Sequence, residues 1–195
     1  MSEQEKQNCE TAEEPQVIDQ AKADYEQGKV FLDAGDATLA AAAFHNALIG
    51  FEQCNDVNGM ANAADKLGDI CFAREEYPGA LRNFQCAYDI CVQSQDQFSL
   101  LFLKKKIAKA HQRMERFQEA VGIYMDILDI YGGYNNPAGA VKALEELAAI
   151  YLEMGDRASA ADSYRTAASI HANFGHSRHS DALMTKASAV DAGQK

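Results

Sequence analysis

The sequence predicts an all-α chain: a right-handed α-solenoid of four helix-turn-helix repeats followed by a C-terminal capping helix. Three observations carry the expectation. The chain matches itself at a shift of forty residues without insertion or deletion. Within each copy, apolar residues recur at steps of three and four, the period of one helix face. No stretch shows the alternating apolar and polar order of a half-buried strand.

The repeat is legible residue by residue. Gly28, Gly68, Ala108 and Ala148 fall in register, and all are small. Three residues on stand Phe31, Cys71, His111 and Tyr151, and then Ala40, Ala80, Ala120 and Ala160. The aromatics Phe44, Phe84, Tyr124 and Tyr164 follow, and then Ala47, Ala87, Ile127 and Ala167. Two helix backbones approach closely only where side chains are small, and an aromatic one turn along fills the wedge that remains. The four copies run over about 16–55, 56–95, 96–135 and 136–175, as one domain.

Residues 1–15 carry charges without periodicity and are expected to be a disordered acidic tail. In the first copy Gly35-Asp36 ends one helix and caps the next. Glu75-Glu76-Tyr77-Pro78 and Glu115-Arg116 take that place in the second and third copies. In the fourth, Asn136-Pro137 supplies a capping residue and a proline at the first helical position. Leu144, Leu147, Ile150, Tyr151 and Met154 then line one face, and Gly155-Asp156 makes the break. A last helix over about 180–192, capped by Ser180-Asp181, has Asp181, Thr185, Lys186 and Asp191 on its outer side. A repeat stack needs such a polar terminal helix to cover its last apolar face.

Composition narrows the class. At 195 residues the chain is long enough for a substantial core. A net charge of -11 argues against generic nucleic-acid binding, which needs a basic surface. No apolar run is long enough to cross a membrane, and the acidic start is no secretory signal. The five cysteines Cys9, Cys54, Cys71, Cys86 and Cys91 show no Cys-x-x-Cys spacing. They read as reduced thiols of a cytoplasmic protein, with Cys71, Cys86 and Cys91 as small core residues.

The pattern resembles the tetratricopeptide repeat family over residues of about 20–175. The residues that carry it are Gly28, Phe31, Gly35, Ala40, Phe44 and Ala47 in the first copy, and Leu67-Gly68, Cys71, Ala80, Phe84 and Ala87 in the second. The repeat is forty residues long where the family usually has about 34. The proline frequent near the family's repeat end is replaced by Glu52, Val92, Gly132 and Ala172. In length and register this is similar to the cell-polarity and spindle-orientation adaptors and to kinesin light chains. The resemblance implies a non-enzymatic interaction module, whose first helices line a concave groove that holds a peptide or a partner helix.

The stretch LLFLKKKIAKAHQR, 100–113, concentrates positive charge in an acidic chain: no acid lies between Gln97 and Met114. As the first helix of the third copy, it should pack inward through Leu103, Ile107, Ala110 and Met114. Phe98, Phe102, Lys105, Lys106, Lys109, Gln112 and Arg113 share another side, while Lys104 should lay its stem along apolar surface. By the family's geometry that side faces the groove. Tyr25, Lys29 and Leu32, then Asp65, Lys66 and Asp69, then Lys142, Glu145, Glu146 and Ala149 would be its neighbours. The expected partner-binding set is Lys29, Lys66, Phe102, Lys105, Lys106, Lys109, Gln112, Arg113 and Lys142. A basic centre on an acidic body would attract acidic groups, and Phe102 would anchor an apolar side chain. The two-carboxylate clamp that some family members use for chaperone tails does not carry over. Tyr25, Lys29, Lys66, Phe102 and Lys106 stand at its places, and both asparagines are missing.

Motifs for phosphate loops, dinucleotides, serine nucleophiles and zinc proteases are absent from the sequence. His171, His176 and His179 bring three imidazoles into nine residues, but they straddle a helix end and a Gly-Ser turn without the one-turn spacing of a preformed site. No metal, no other cofactor and no catalytic residue is therefore expected. His111 reads as a packed histidine. The function expected is an adaptor or scaffold that binds a protein segment bearing acidic and apolar side chains. The alternatives are a self-assembling scaffold, which Ala37 to Ala47 would suit, and a sensor of a peptide or small ligand.

Overall fold

The twenty-residue spacing of the turns explains the architecture. Gly35, Asn55, Glu75, Gln95, Glu115, Asn135, Gly155 and Gly175 all have positive φ. At each, the next residue's N–H donates to the carbonyl five positions earlier, from Asp36 to Phe31 at 2.8 Å through to His176 to His171 at 2.9 Å. This is the left-handed close of a helix C-terminus. The residue that makes the bond is also where the next helix begins, so one short turn ends one helix and starts another. The forty-residue repeat of the sequence is thus two beats of twenty in the backbone.

The computed structural model describes residues 3–193, with side-chain surroundings from residue 16. Its helices are α1 (Glu3–Asp33), α2 (Ala37–Gln53), α3 (Val57–Ala73), α4 (Tyr77–Ser94), α5 (Gln97–Arg113), α6 (Phe117–Gly133), α7 (Pro137–Glu153), α8 (Arg157–Asn173) and α9 (Ser177–Asp191). No strand occurs among the described residues, and the fold class is the all-α repeat that the sequence predicts. The chain divides into two compact units, residues 1–110 and 111–195.

Several helices start on a side-chain cap. Asp36 accepts from Thr38 and Leu39 N–H, Asp56 from Gly59, Asn136 from Gly139 and Asp156 from Ser159. These bonds satisfy donors that a helix N-terminus leaves open. Glu76, Arg116 and His176 hold the same position without a side-chain hydrogen bond.

In the first unit α1 packs on α2, α2 on α3 and α3 on α4. Its core joins Ala21, Ala47, Phe51 and Ala63, and beside them Ala40, Phe44 and Ile70. The expected wedge is present: a Cβ on Gly28 would lie 2.8 Å from the Phe44 ring, and one on Gly68 would lie 2.4 Å from Phe84. A second close approach was not foreseen. Gly59 of α3 meets the Phe51 ring of α2, where a Cβ would lie at 2.4 Å.

The second unit repeats both devices. α6 packs on α7, α7 on α8 and α8 on α9. Gly139 faces the Tyr131 ring as Gly59 faces Phe51, with a Cβ distance of 2.3 Å. Its core is Val141, Leu144, Ala167, Ala168 and Leu183, and then Ala148, Ala160, Ala161, Ala187 and Val190.

Two expectations need adjustment. The capping helix starts at Ser177 rather than at Ser180-Asp181, because Gly175-His176 keeps the twenty-residue beat. Cys86 is exposed rather than a core residue, since it stands on the outer side of α4; Cys91 is buried and Cys71 half-buried. The tail expected at 1–15 lies where side chains are outside the described residues.

Candidate functional site

Helix α5 positions the candidate site by dividing its faces. Leu103, Ile107 and Ala110 are buried, and Met114 beyond the helix end is half-buried, as the spacing predicts. On another side Phe98 is 92% exposed and Phe102 56% exposed. They lie one turn apart, so both rings present to the same direction. Large aromatics are seldom left in water without a use.

Between α3 and α5 of the first unit lies a cavity of about 380 Å³. Asn58, Asn62 and Asp65 of α3 line it, with Ser99 and Phe102 of α5 opposite. Lys106 ties the two helices below it. Its ammonium donates to Asp65 at 2.7 Å and to Asp69 at 2.7 and 2.8 Å. It also lies 4.6 Å from the Phe102 ring centroid and 5.2 Å from that of Phe84. Lys106 and Asp65 side chains are each only 18% exposed. Burial raises the Asp65 carboxyl above its usual range despite Lys106, whose hydrogen bond pulls the other way. The desolvation of that carboxylate therefore exceeds what the ion pair offsets. Two carboxylates share the one Lys106 ammonium.

The remaining expected residues divide. Lys29 is exposed and pairs with Glu26 of its own helix at 2.6 Å, which raises its pKa. Lys66 is half-buried at the edge of a hollow shared with Glu26, Leu32 and Asp33. Lys105 and Lys109 are half-buried and engaged with other groups of the protein. Lys104 is half-buried with its ammonium 6.0 Å from the Tyr88 ring, the posture expected of it.

In the second unit Arg113 and Lys142 are exposed. Gln112 is corrected: it is only 5% exposed and donates to Glu153 at 2.7 Å within the second unit, so its amide is engaged rather than open at the surface. Its Oε1 and the Nδ1 of neighbouring His111 are buried without a partner. Burial lowers the His111 pKa, in keeping with a packed, neutral ring.

Sequence reasoning missed Asn58, Asn62 and Ser99. The signal was available: Asn58 and Asn62 precede Asp65 and Lys66 by two turns and by one turn on the same helix face. His171 Nδ1 lies 3.4 Å from His176 Nδ1, and the His179 ring stacks on His171 with centroids 5.1 Å apart.

No protein-family model and no curated protein matches the sequence. Solved structures do match. The apo form of RapI superposes with a TM-score of 0.71 at 14% identity, over 86% of this chain and 46% of RapI. This chain therefore spans about half the length of RapI. A Rap protein complexed with competence and sporulation factor gives 0.63 at 16% identity, over 87% of this chain and 46% of that one. A Podosopora anserina protein described as a kinesin light chain with nearly identical TPR-like repeats gives 0.60 at 14%, covering 88% and 94%. At such identities the likeness is one of fold. No described helix is long and apolar enough to cross a membrane. The twenty-residue beat, the small-on-aromatic packing and these superpositions agree: the chain is a helical repeat protein of the tetratricopeptide-like fold.

Proposed function

We propose that this chain is a non-enzymatic protein-interaction adaptor that holds a peptide or helix of its partner against the α3–α5 face of the first unit. The observation that carries the reading is the exposed pair Phe98 and Phe102 beside the polar cavity of Asn58, Asn62 and Ser99. Aromatic anchors give affinity through buried area, and side-chain amides pair with an extended backbone. The Lys106 ammonium 4.6 Å from the Phe102 ring favours that ring's orientation at the cavity edge. Lys105 and Lys109 share α5 with Phe102 and would favour a partner segment with acidic side chains next to its apolar ones. The Rap protein complexed with competence and sporulation factor lends the reading support by analogy of fold.

The test is affinity capture from native lysate with three proteins: wild type, Phe98→Ala/Phe102→Ala, and Lys105→Glu/Lys109→Glu. Lys106 is left in place because its loss would unsettle the fold. Circular dichroism establishes that both variants are folded. A partner held by wild type and lost by the phenylalanine variant is expected, with weaker and more salt-sensitive capture by the lysine variant. Equal capture by all three would overturn the reading.

A further inference from the structure

We propose that His171, His176 and His179 bind a divalent transition-metal ion at the junction of α8 and α9. The left-handed turn at Gly175 folds the end of α8 back on the start of α9, and brings together rings that the sequence separates by a helix end. His171 Nδ1 and His176 Nδ1 stand 3.4 Å apart. That is long for a nitrogen hydrogen bond, which favours about 2.7–3.2 Å. It matches two ligands on one tetrahedral ion, since metal–nitrogen bonds of about 2.0–2.1 Å place the nitrogens roughly 3.3 Å apart. The third ring is within reach: His179 lies 5.1 Å from His171 and 6.2 Å from His176 between centroids.

As the rings stand, two donors converge and not three, and no group of three or more metal-type side chains among the described residues surrounds a single point. His179 is exposed on the first turn of α9 and stacks on His171, so a change of its side-chain rotamer is what the third bond would require. Behind the rings lies an apolar hollow of about 120 Å³ formed by Pro137, Val141, Ile170 and Phe174, which His171 and His176 close. It lies beside the pair on the side of α7. The donor set is imidazole without carboxylate, which suits zinc, nickel or copper and not magnesium or calcium. Bound metal would pin the capping helix to the hairpin it covers.

The experiment uses the full chain without a polyhistidine tag. Zinc, nickel and magnesium ions are titrated separately by calorimetry, and thermal melting is followed with and without each. Zinc and nickel are expected to bind at one site and raise Tm, because a ligand of the folded state stabilises it; magnesium is expected to do neither. His171→Ala and His176→Ala should each weaken zinc binding by about tenfold or more, and His179→Ala should weaken it as well. His45→Ala, an exposed histidine on α2, should bind as wild type does. Absence of heat and of a Tm shift with zinc and nickel, or equal binding by the His171→Ala and His176→Ala variants, would overturn the proposal.

Discussion

Lys106 of α5 reaches Asp65 of α3 across 41 positions of sequence, and the same tie recurs eighty residues later, where Lys186 of α9 reaches Glu145 of α7 at 3.1 Å. The aromatic partner recurs too: Lys106 lies over Phe84 and Lys186 over Tyr164. One lysine thus links alternate helices in each unit, with a ring beneath its ammonium. Lys106→Met should destabilise the first unit by about 1–3 kcal/mol, because it leaves Asp65 and Asp69 facing each other without a counter-ion. Asp65→Asn should cost less. The folded-state pKa of Asp65 is raised, so the stability linked to its titration is present below the unfolded value of about 3.9 and lost as pH rises through the folded one. At neutral pH its charge already opposes folding. Urea unfolding at pH 7 decides the order, and a larger loss for Asp65→Asn would refute it.

Gly68→Ala should be destabilising although alanine is the better helix former. The added methyl would stand 2.4 Å from the Phe84 ring, which is itself fully packed. Overpacking of this kind costs about 1–3 kcal/mol, against a gain in helix propensity of about 1. Ala108 and Ala148 stand at the same register of the repeat as Gly68, and Phe84 is the ring that an added methyl at Gly68 would displace. A double substitution of Gly68→Ala with Phe84→Leu should recover part of the loss in thermal unfolding. No recovery would place the strain in the backbone instead.

One turn is open to improvement. Glu115 holds a left-handed φ of 59° that costs an L-residue about 1–2 kcal/mol, and Arg116 fills a capping position without a side-chain hydrogen bond. The first and fourth copies have Gly-Asp at this place. Glu115→Gly/Arg116→Asp should therefore stabilise the second unit by roughly 1–2 kcal/mol, the sum of relieved strain and a new cap. Differential scanning calorimetry would show a higher Tm; an unchanged one would mean that Glu115 and Arg116 have compensating contacts.

What the sequence disclosed was whatever the repeat imposes. Ala40, Ala80, Ala120 and Ala160 must be small for two helices to meet, so their register reports the packing directly, and all four are buried. The turns were half legible. Gly35-Asp36 and Gly155-Asp156 announce themselves, whereas Gln95 and Glu115 adopt the same left-handed φ with residues that favour helix interiors. The site was less legible, because charge does not reveal its own partner. Lys105 and Lys106 look alike in a run of three lysines, yet the position of Asp65 and Asp69 one repeat away decides that Lys106 is a tie. Gln112 was assigned to the same open side, but Glu153 draws it inward. The histidines depended on one turn at Gly175, and helix periodicity carries no information across a turn.

The caps give the protein a defined acid limit. Asp156 accepts from both the Ser159 hydroxyl at 2.6 Å and the Ser159 N–H at 3.1 Å, and these bonds lower its pKa. Asp96 is lowered in the same way by Ser99. A depressed folded-state pKa contributes stability above the unfolded value of about 3.9, and that stability is lost as pH falls through the folded one. Asn at position 156 would keep the acceptor for the N–H but could not titrate, and Asn136 shows that the residue serves as a cap in this fold. Asp156→Asn should therefore unfold close to wild type at pH 7 and lose less stability between about pH 4 and pH 2. Parallel pH dependence of the two proteins would show that the Ser159 bonds do not act on the folded-state titration of Asp156.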